Sequence, residues 1–557
     1  MACAAGRARV VLPVRTNRVF PYRHHPDQAC STPAHHRVII VGAGPTGLST
    51  AIDLHLQGVD SVVLDDNNTV SVGSRAICFA QRTLEIFDRY GCSQPMLERG
   101  VQWQIGKVFF KDALVYEFNL RPEGGHRMPP FINLQQYYVE DYLVDRAVTL
   151  EGVDIRWNNQ VIDVRAGTDE VMVTVKTPDG NYTLRCDYLL VADGANSSVR
   201  RMLGLDVSGE VFNDQFLITD IRMKTGLPTE RRFHFDPPFH PNQSVLLHRQ
   251  ADDVWRIDFQ LGQDADPAVA LLPANIQLRI SAMLGDDLDW EFEWASVYRF
   301  RCQKMDRFIH GRVFFLGDAA HQVAPFGARG ANGAIQGAEN LAWKLARVLD
   351  GRAPTTLLAS YDDERQLAAR ENILNSTRTT DFMSPKTPIS RLFRDSVLRL
   401  AREHSFARTL VNSGRLSVPC AYPDSILNTP DLDIFDGGIA PGSVCPDAPI
   451  SIGGQRTWLQ QQLGNRFVLL IAGETPAGLE MDSDLSLVCI GAKQGLGGAI
   501  IIDDVEGLVQ QRYALAPGSA YLIRPDQYVC ARWRRVDAGQ VFGARRRALG
   551  LLLEDAA

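Results

Sequence analysis

Three glycines at a fixed spacing carry the clearest chemical signal in this sequence. They form Gly42-x-Gly44-x-x-Gly47, directly after the apolar run Val38 to Val41 and before a helical pattern that ends at Gly58. Gly42 permits a tight turn, Gly44 lets the backbone approach a pyrophosphate, and Gly47 allows the helix to pack closely on the strand. The free N–H groups and positive dipole end of that helix attract phosphates. The spacing predicts a dinucleotide-binding turn.

An acidic residue follows the next apolar run at the distance that such a turn requires. Asp65 comes directly after the run Ser61 to Leu64. It lies roughly 20 residues beyond Gly42, which is the spacing of the acid that binds an adenosine ribose. Asp66 could take the same role. Strand, helix and acid in this order favour dinucleotide binding over a merely structural βαβ turn.

Two further polar positions could contact the same ligand. Arg75 stands before a predicted helix that stops at Gly91, and a guanidinium beside a phosphate site can hold a pyrophosphate by charge-assisted bonds. The alternative is a solvated charge at the helix start. The predicted buried face of this helix is Ile77, Ala80, Leu84 and Phe87. Another helix begins near Gln135 and Gln136, where either amide could meet a cofactor.

Two later strands also end in an aspartate beside a glycine. The first is followed by Asp193-Gly194, and the run Val313 to Leu316 is followed by Gly317-Asp318. A proline- and glycine-rich loop then leads to a long helix whose first residues are Gly330, Ala331 and Asn332. Open backbone N–H groups at such a helix start favour negative charge on a ring placed against them.

Length and composition narrow the class of protein. A chain of 557 residues is too long for one typical core, so we expect two or three domains. The apolar content of 45%, the charged content of 22% and the net charge of −7 are typical of a globular protein without a nucleic-acid or membrane partner. Ten cysteines without a CxxC pair indicate a reduced, cytoplasmic protein with neither a disulfide framework nor a metal site.

Two stretches differ from the rest of the chain in composition and residue pattern. Residues 1–36 are arginine-rich and broken by prolines, so we interpret them as a poorly ordered N-terminal arm that packs on the body rather than as a transit peptide. Residues 205–300 alternate aromatic, charged and apolar side chains, which is typical of a sheet with one face lining a cavity. The candidate catalytic residues on this layer are His234, His248 and Arg256. Each could equally be a surface residue or a satisfied polar residue of the core.

Three landmarks stand in order along the chain: GAGPTG at 42–47, ADG at 192–194 and GDAAH at 317–321. Together they resemble the FAD-dependent aromatic-ring hydroxylases, the single-component class A flavoprotein monooxygenases. The similarity is greatest to the phenol hydroxylase and 3-(3-hydroxyphenyl)propionate hydroxylase branch. It covers roughly residues 37–400, and the remainder, with YLIRPDQYVCARW, looks like the thioredoxin-like C-terminal domain of that branch.

The resemblance implies an α/β fold with an α+β substrate layer. A Rossmann-like FAD-binding domain, in two parts at 37–204 and 301–400, would be interleaved with a β-sheet substrate domain at 205–300. A linker at 401–439 would lead to a thioredoxin-like domain at 440–557. That domain lacks CxxC here, which implies a structural or dimer-contact role and is consistent with a homodimer.

The resemblance also implies how the site residues act. The FAD pyrophosphate would be contacted by Gly42, Gly44 and Gly47, and the adenosine ribose by Asp65. The pyrophosphate and ribityl region would be contacted by Arg75 and Gln136, and the ribityl hydroxyls by Asp318. The flavin pyrimidine would be contacted by Gly330, Ala331 and Asn332. Asp193 lies in the motif linked to both FAD and NAD(P)H.

The implied reaction is the hydroxylation of a small phenolic substrate. NADH or NADPH reduces the flavin, O2 adds at its C4a carbon, and the phenol attacks the terminal oxygen of the C4a-hydroperoxide. His234, His248 or Arg256 would polarise the phenol or hold a substrate carboxylate. Two alternatives stay open: a non-hydroxylating FAD-dependent oxidoreductase, and a flavin-binding sensor without turnover.

Overall fold

The computed structural model of the protein describes residues 18–71, 73, 75–121, 123–411, 416–492 and 497–552. The strands up to residue 204 are β1 (Ala34–Val41), β2 (Ser61–Leu64), β3 (Cys78–Ala80), β4 (Val101–Trp103), β5 (Ile105–Phe110), β6 (Ala113–Asn119), β7 (Phe131–Asn133), β8 (Val153–Arg156), β9 (Gln160–Ala166), β10 (Val171–Thr177) and β11 (Gly180–Val191). The helices of this stretch are α1 (Pro45–Leu56), α2 (Gln81–Tyr90), α3 (Ser93–Arg99), α4 (Gln136–Ala147) and α5 (Ser198–Met202).

The middle of the chain adds a second set of elements. Its strands are β12 (Ser208–Arg222), β13 (Arg231–Phe235), β14 (Ser244–Arg249), β15 (Val254–Leu261), β16 (Glu291–Lys304), β17 (Ile309–His310), β18 (Val313–Phe315) and β19 (His321–Gln322). Its helices are α6 (Pro267–Ala270), α7 (Pro273–Leu284), α8 (Gly330–Leu349), α9 (Ala359–Met383), α10 (Pro388–Glu403) and α11 (Ser405–Val411).

The remainder of the chain forms a smaller set. Its strands are β20 (Pro449–Ile452), β21 (Gln455–Trp458), β22 (Phe467–Ala472), β23 (Leu485–Ile490), β24 (Ile500–Ile502), β25 (Ala520–Ile523) and β26 (Val529–Trp533), and its helices are α12 (Leu508–Arg512) and α13 (Ala538–Ala548). Short 3-10 turns lie at Pro26–Ala29, Gly317–Ala319, Thr355–Leu358 and Leu459–Gln462.

A largely parallel sheet forms the core of the first part of the fold. Its strand order is β17-β18-β11-β1-β2-β8, and β10 and β9 extend it from β11. β1 pairs in parallel with β11 and β2, and β18 and β8 add further parallel pairs. The last four residues of β1 are fully apolar and buried, as expected of a strand covered on both faces. This sheet confirms the predicted α/β fold class.

A second sheet of eight strands has the order β19-β16-β12-β15-β14-β13-β5-β6. Its centre comes from residues 205–300, the stretch predicted to form the substrate layer. β5 and β6, from earlier in the chain, join this sheet because β13 pairs in parallel with β5. β19, from later in the chain, joins it by pairing with β16. The sheet therefore extends beyond the boundaries drawn from composition.

The helix predicted after Arg75 begins later than expected. The sequence predicts Ile77 and Ala80 on this helix, but Cys78–Ala80 is the strand β3, which pairs with β7, and α2 starts at Gln81. Leu84 and Phe87 are buried as predicted, and Gly91 ends the helix with φ 80°. This segment forms a strand rather than the first turn of the helix because its backbone N–H and C=O groups pair with those of β7.

The described part of the N-terminal arm is docked on the body. Phe20 stacks on Trp157 with ring centroids 4.4 Å apart, and the Tyr22 hydroxyl donates to Asp179 at 2.9 Å. The predicted arm ends earlier than residue 36, because Ala34 already belongs to β1. Residues 1–17, which carry much of the predicted arm, lie outside the described residues.

A third sheet, of order β24-β23-β22-β25-β26, dominates the C-terminal part. β22, β23 and β24 are parallel, and β25 and β26 are antiparallel. Buried ion pairs join it to the body, since Arg524 donates to Glu364 at 2.7 Å and Arg347 donates to Asp484 at 3.1 Å. The thioredoxin-like character of this part stays a prediction. Among the helices of the described residues, none has the length and apolar content to cross a bilayer.

Candidate active site

A cavity of about 820 Å³ opens where the carboxyl ends of the parallel strands meet. Four strands of the first sheet deliver a landmark residue to it: β1 the glycine turn, β2 Asp65, β11 Asp193 and β18 Asp318. Ligands of open α/β sheets bind in the crevice outside these strand ends. The cavity continues to the inward face of the second sheet, which supplies Arg231, His248, Arg256 and Asp258.

The three glycines of the turn differ in what they do. Gly42 has φ 104°, and a Cβ there would lie 2.5 Å from the Ala192 carbonyl oxygen. A Cβ on Gly47 would lie 1.8 Å from the Gly42 oxygen, so this glycine brings α1 onto β1. A Cβ on Gly44 would meet nothing within 4 Å. Gly42 and Gly47 are therefore needed for the fold itself, whereas Gly44 leaves cavity space open in front of the helix start.

Asp65 is held against the glycine turn. Its Oδ2 accepts from the Ala43 N–H at 2.6 Å and its Oδ1 accepts from the Asn67 N–H at 2.8 Å. Burial nevertheless raises the pKa of Asp65 to about 6, because desolvation outweighs these two hydrogen bonds. Asp66 also borders the cavity but is exposed and accepts from the Asn67 side chain. Position favours Asp65 over Asp66 as the ribose acceptor.

Asp318 and Arg75 project into the cavity from opposite parts of the chain. Both side chains are accessible to solvent through the cavity, and the Asp318 carboxyl lies deep enough among protein atoms to lose part of its hydration. This enclosure raises the pKa of Asp318, and the opposing charge of Arg75 only partly offsets the desolvation. A carboxylate acceptor facing a guanidinium suits a ligand that carries both hydroxyl and phosphate groups.

Two of the side chains predicted to contact a cofactor already bond within the protein. The Gln136 amide accepts from the Ala76 N–H at 3.0 Å and donates to Glu140 at 2.8 Å. Asp193 Oδ2 accepts from the Val199 N–H at 3.1 Å, while its buried Oδ1 has no partner among the described residues. These side chains shape the loops around the cavity, and their contacts with a cofactor stay predictions.

The start of α8 faces the cavity with its backbone. Gly330 and Ala331 line the cavity, and they open a helix of 20 residues whose first N–H groups have no intrahelical partner. The Asn332 side chain is buried, accepts from the Ala80 N–H at 2.9 Å and donates to the Cys78 oxygen at 2.9 Å. Asn332 therefore ties α8 to β3, and its backbone is the part that remains for a ligand.

On the second sheet, a buried ion pair and a histidine share the cavity face. Arg256 donates to both oxygens of Asp220, at 2.8 and 2.7 Å, because the two residues lie opposite each other on β15 and β12. His248 lies opposite Arg256 on β14, and its Nε2 is 3.3 Å from Asp258 Oδ2. Burial lowers the pKa of His248 to about 4, so its imidazole is neutral near pH 7.

His234 is not brought to the cavity. It follows Arg231 by three positions on β13, and side chains alternate between the two faces of a strand, so these two residues point to opposite faces. The ring of His234 stacks on Phe109 at 4.7 Å and meets Phe239 edge-on at 5.6 Å. The structure gives His234 an aromatic packing environment rather than a place among the cavity residues.

The sequence interpretation missed four polar residues of the cavity region. They are Cys78, Asp220, Arg231 and Asp258. The signal that could have found two of them is strand alternation, because charged residues that interrupt an apolar strand at every second position share one face. Asp220 follows that pattern with Arg222 in β12, and Asp258 follows it with Arg256 in β15.

The cavity as a whole fits a dinucleotide. Open space at Gly44, the N-terminus of α1, an acceptor at Asp65 and the pair Asp318 and Arg75 provide what a pyrophosphate and two sugar-like polyols require. An aromatic ring system at the far end would meet the start of α8 and the charged face of the second sheet.

Comparisons with known proteins agree with this geometry. Residues 35–376 match the family described as FAD binding domain. A flavin-dependent monooxygenase of Mycobacteroides abscessus is 31% identical over 424 residues, 72% of this chain and 86% of its own length. A 3-(3-hydroxy-phenyl)propionate/3-hydroxycinnamic acid hydroxylase of Burkholderia vietnamiensis is 26% identical over 91% of this chain and 96% of its own.

Solved structures share the fold. The flavin-dependent monooxygenase PieE, in complex with FAD and substrate, superposes with a TM-score of 0.77 at 22% identity, over 93% of this chain and 100% of its own. Aklavinone-11 hydroxylase, with FAD and aklavinone, gives 0.75 at 24% identity and the same coverage. With its three landmarks assembled in one cavity, the chain belongs to the FAD binding domain family and is an FAD-dependent monooxygenase of the aromatic hydroxylase type.

Proposed function

We propose that this protein uses NADH or NADPH and O2 to hydroxylate a small phenolic substrate, by the flavin C4a-hydroperoxide route that the resemblance implies. The observation that carries the proposal is the continuity of one cavity, from the glycine turn after β1 to the polar face of β14 and β15. A cofactor at one end and a polar, partly aromatic chamber at the other are what ring hydroxylation requires. Cytoplasmic location and a homodimer also stay predictions.

FAD supplies the oxygen-transfer chemistry when bound, and the protein supplies position and charge. In this proposal the glycine turn and Arg75 hold the pyrophosphate, Asp65 accepts from the ribose, and Asp318 accepts from the ribityl chain. The backbone N–H groups at Gly330 and Ala331, at the positive end of α8, stabilise negative charge on the flavin pyrimidine.

FAD affinity should depend on the protonation of Asp65. The folded-state pKa of about 6 lies above the ordinary value of 3.8, so the carboxylate needed as ribose acceptor is lost as pH falls from 7 to 5. We expect the dissociation constant of FAD to rise roughly 10-fold over that range, the equivalent of one lost charge-assisted hydrogen bond. Fluorescence titration of the apoprotein with FAD measures it.

An Asp65→Asn variant provides the control. It should bind FAD weakly at pH 7 and should show little further change down to pH 5, because it has no carboxyl group to protonate. A pH dependence of FAD affinity that is as steep in Asp65→Asn as in the parent protein would contradict this assignment.

His248 is the residue best placed to polarise the substrate hydroxyl. It lines the cavity, its Nε2 lies beside Asp258, and its buried Nδ1 has no partner among the described residues. If Nε2 carries the proton and donates to Asp258, then Nδ1 is an acceptor for the O–H of a substrate bound against His248. Arg256, in contrast, is already paired with Asp220 and acts in this proposal by orienting the sheet face.

The variant His248→Gln should lower kcat for a phenol at pH 7 by about 100-fold, the lower end of the typical contribution of a positioned base. The defect should shrink as pH rises, because a phenol with a pKa near 10 ionises without help. The kcat of the parent enzyme should not rise between pH 6 and 8, since His248 is neutral throughout that range. A pH profile of kcat for the parent enzyme and for His248→Gln tests this prediction. Parallel profiles would contradict the role of His248.

The experiment that tests the proposed function is NADH and NADPH oxidation by FAD-loaded protein, with and without a panel of phenols and phenylpropanoids. Stimulation accompanied by a product with one added oxygen atom is expected. Bound FAD with no stimulation by any phenol would favour the sensor, and oxidation of a substrate without oxygen insertion would favour the non-hydroxylating oxidoreductase.

A further inference from the structure

The outer surface of two adjoining helices is apolar. α10 and α11 pack against each other, and their inner residues Val397, Leu398 and Val411 belong to a core cluster that includes Phe235 of β13. Six large apolar side chains on the outer side are between 46% and 80% exposed: Ile389, Leu392, Phe393, Leu400, Phe406 and Leu410. Single exposed apolar side chains are normal, but a group of this size marks a binding surface. We call these six side chains the α10–α11 face.

Three exposed arginines flank the apolar side chains of α10. Arg391, Arg399 and Arg402 recur at helical spacing, so they lie along one side of the stripe that contains Ile389. Arg391 donates to the Asn242 side chain at 2.9 Å, and no described carboxylate forms a salt bridge with any of the three. Their charges are therefore available to a partner that docks on the stripe.

The exposed charge of α10 is positive. Arg394, on the buried side, pairs with Asp395 at 2.9 Å, and within α10, which is described throughout, Glu403 is the one exposed acid. The whole chain carries a net charge of −7. Charges more than about 8 Å apart in solution are, however, largely screened at physiological ionic strength. The local positive charge therefore decides what approaches the α10–α11 face.

A second copy of this chain matches the α10–α11 face poorly. In a two-fold contact the face would meet itself, so the arginines of one copy would lie close to those of the other. An anionic lipid surface matches both features, because its phosphates pair with guanidinium groups and its acyl boundary accepts Phe, Leu and Ile side chains. A helix surface with apolar and basic stripes is typical of proteins that lie on membranes.

A narrow apolar cavity adjoins α11. Its volume is about 40 Å³, and Val411 lines it together with Phe233 and Phe235 of β13. Phe326 lines both this cavity and the larger one that holds the glycine turn. A partner that dissolves apolar molecules would lie next to this cavity, which favours a lipid surface over an acidic protein.

We propose that the α10–α11 face docks the protein on an anionic lipid surface, as a peripheral contact and not as a membrane span. The six apolar side chains enter the boundary between headgroups and acyl chains, and the three arginines pair with lipid phosphates. This docking goes beyond the proposed function and departs from the expectation, based on overall composition, that the protein has no membrane partner.

The test compares two kinds of vesicle. FAD-loaded protein is sedimented with vesicles of phosphatidylcholine alone and with vesicles of phosphatidylcholine and phosphatidylglycerol in equal amounts. The parent protein should bind the anionic vesicles at least about 30-fold more tightly, the scale of three arginines near a charged surface. High salt should abolish most of this preference, because it screens the arginines.

Paired variants separate the apolar from the charged contribution. Leu392→Ser with Phe393→Ser should lower the affinity for anionic vesicles by at least about 10-fold, because less apolar surface is buried in the lipid. Arg399→Gln with Arg402→Gln should reduce the preference for anionic over neutral vesicles by about 10-fold. Leu278→Ser removes an exposed leucine of α7 and should leave binding unchanged. All of these side chains are exposed, so FAD content and thermal unfolding should match the parent protein.

The proposal is overturned if the parent protein binds neither kind of vesicle, or binds both equally. It is also overturned if the variant with serine at positions 392 and 393 keeps the full affinity for anionic vesicles. Sedimentation velocity without lipid tests the remaining occupant, a second copy. A parent dimer that this variant converts to a monomer would assign the α10–α11 face to contact between copies and would refute lipid docking.

Discussion

Gly44→Val is expected to fold as well as the parent protein and to bind FAD roughly 100-fold more weakly, because the new side chain fills the approach to the pyrophosphate. Gly44 has φ −77° and ψ −177°, a conformation open to any residue, and a Cβ there meets no atom within 4 Å. The protein without cofactor should therefore accept valine. FAD titration and thermal unfolding of the apoprotein measure the two halves of this prediction.

Gly47→Ala is the matched comparison within the same turn. Its Cβ would lie 1.8 Å from the Gly42 oxygen, so α1 must move away from β1 before any ligand is considered. We expect a loss of stability of about 1–3 kcal/mol with or without FAD. An apoprotein destabilised by Gly44→Val as much as by Gly47→Ala, or unchanged FAD affinity in Gly44→Val, would contradict the placement of the cofactor.

The second large effect concerns the pair Asp220 and Arg256 beneath the substrate chamber. Asp220 is 3% exposed and accepts from Arg256 at 2.8 and 2.7 Å and from Gln250 at 3.1 Å. Asp220→Leu would leave the buried guanidinium without its carboxylate, at a cost of about 3–5 kcal/mol. Urea unfolding of the FAD-loaded protein should show this loss as a lower transition midpoint.

Two companion variants identify the cause of that loss. The double variant Asp220→Leu with Arg256→Met removes both charges and should recover most of the lost stability. Glu293→Gln breaks the more exposed pair with Arg222 on the same sheet and should cost less than about 1 kcal/mol. A double variant as unstable as the sum of its single substitutions would show that packing, not the unpaired charge, causes the loss.

Much of the first sheet could be predicted from the sequence because its signals are local. The glycine turn, the acid after β2 and the aspartates after β11 and β18 each follow their own strand directly. Parallel strands bring their carboxyl ends to one edge, so recognising the strands is enough to bring these residues together. No long-range pairing had to be known.

The second sheet could not be predicted in the same way, because its site depends on register between distant strands. Asp220 meets Arg256 only through the pairing of β12 with β15, and β5 joins the sheet from more than 100 positions before its partner β13. His234 lies outside the cavity lining, because its strand turns it to the opposite face from Arg231. Asn332 borders the cavity, but its side chain bonds within the protein.

The most direct test of the account is an isotope measurement. FAD-loaded protein is supplied with NADH or NADPH, a phenol that stimulates oxidation, and 18O2, and the product is analysed by mass spectrometry. The account predicts one 18O atom on the aromatic ring, and much less labelled product from Gly44→Val at the same FAD concentration. Reducing equivalents consumed with hydrogen peroxide as the sole product across the phenol panel would contradict it.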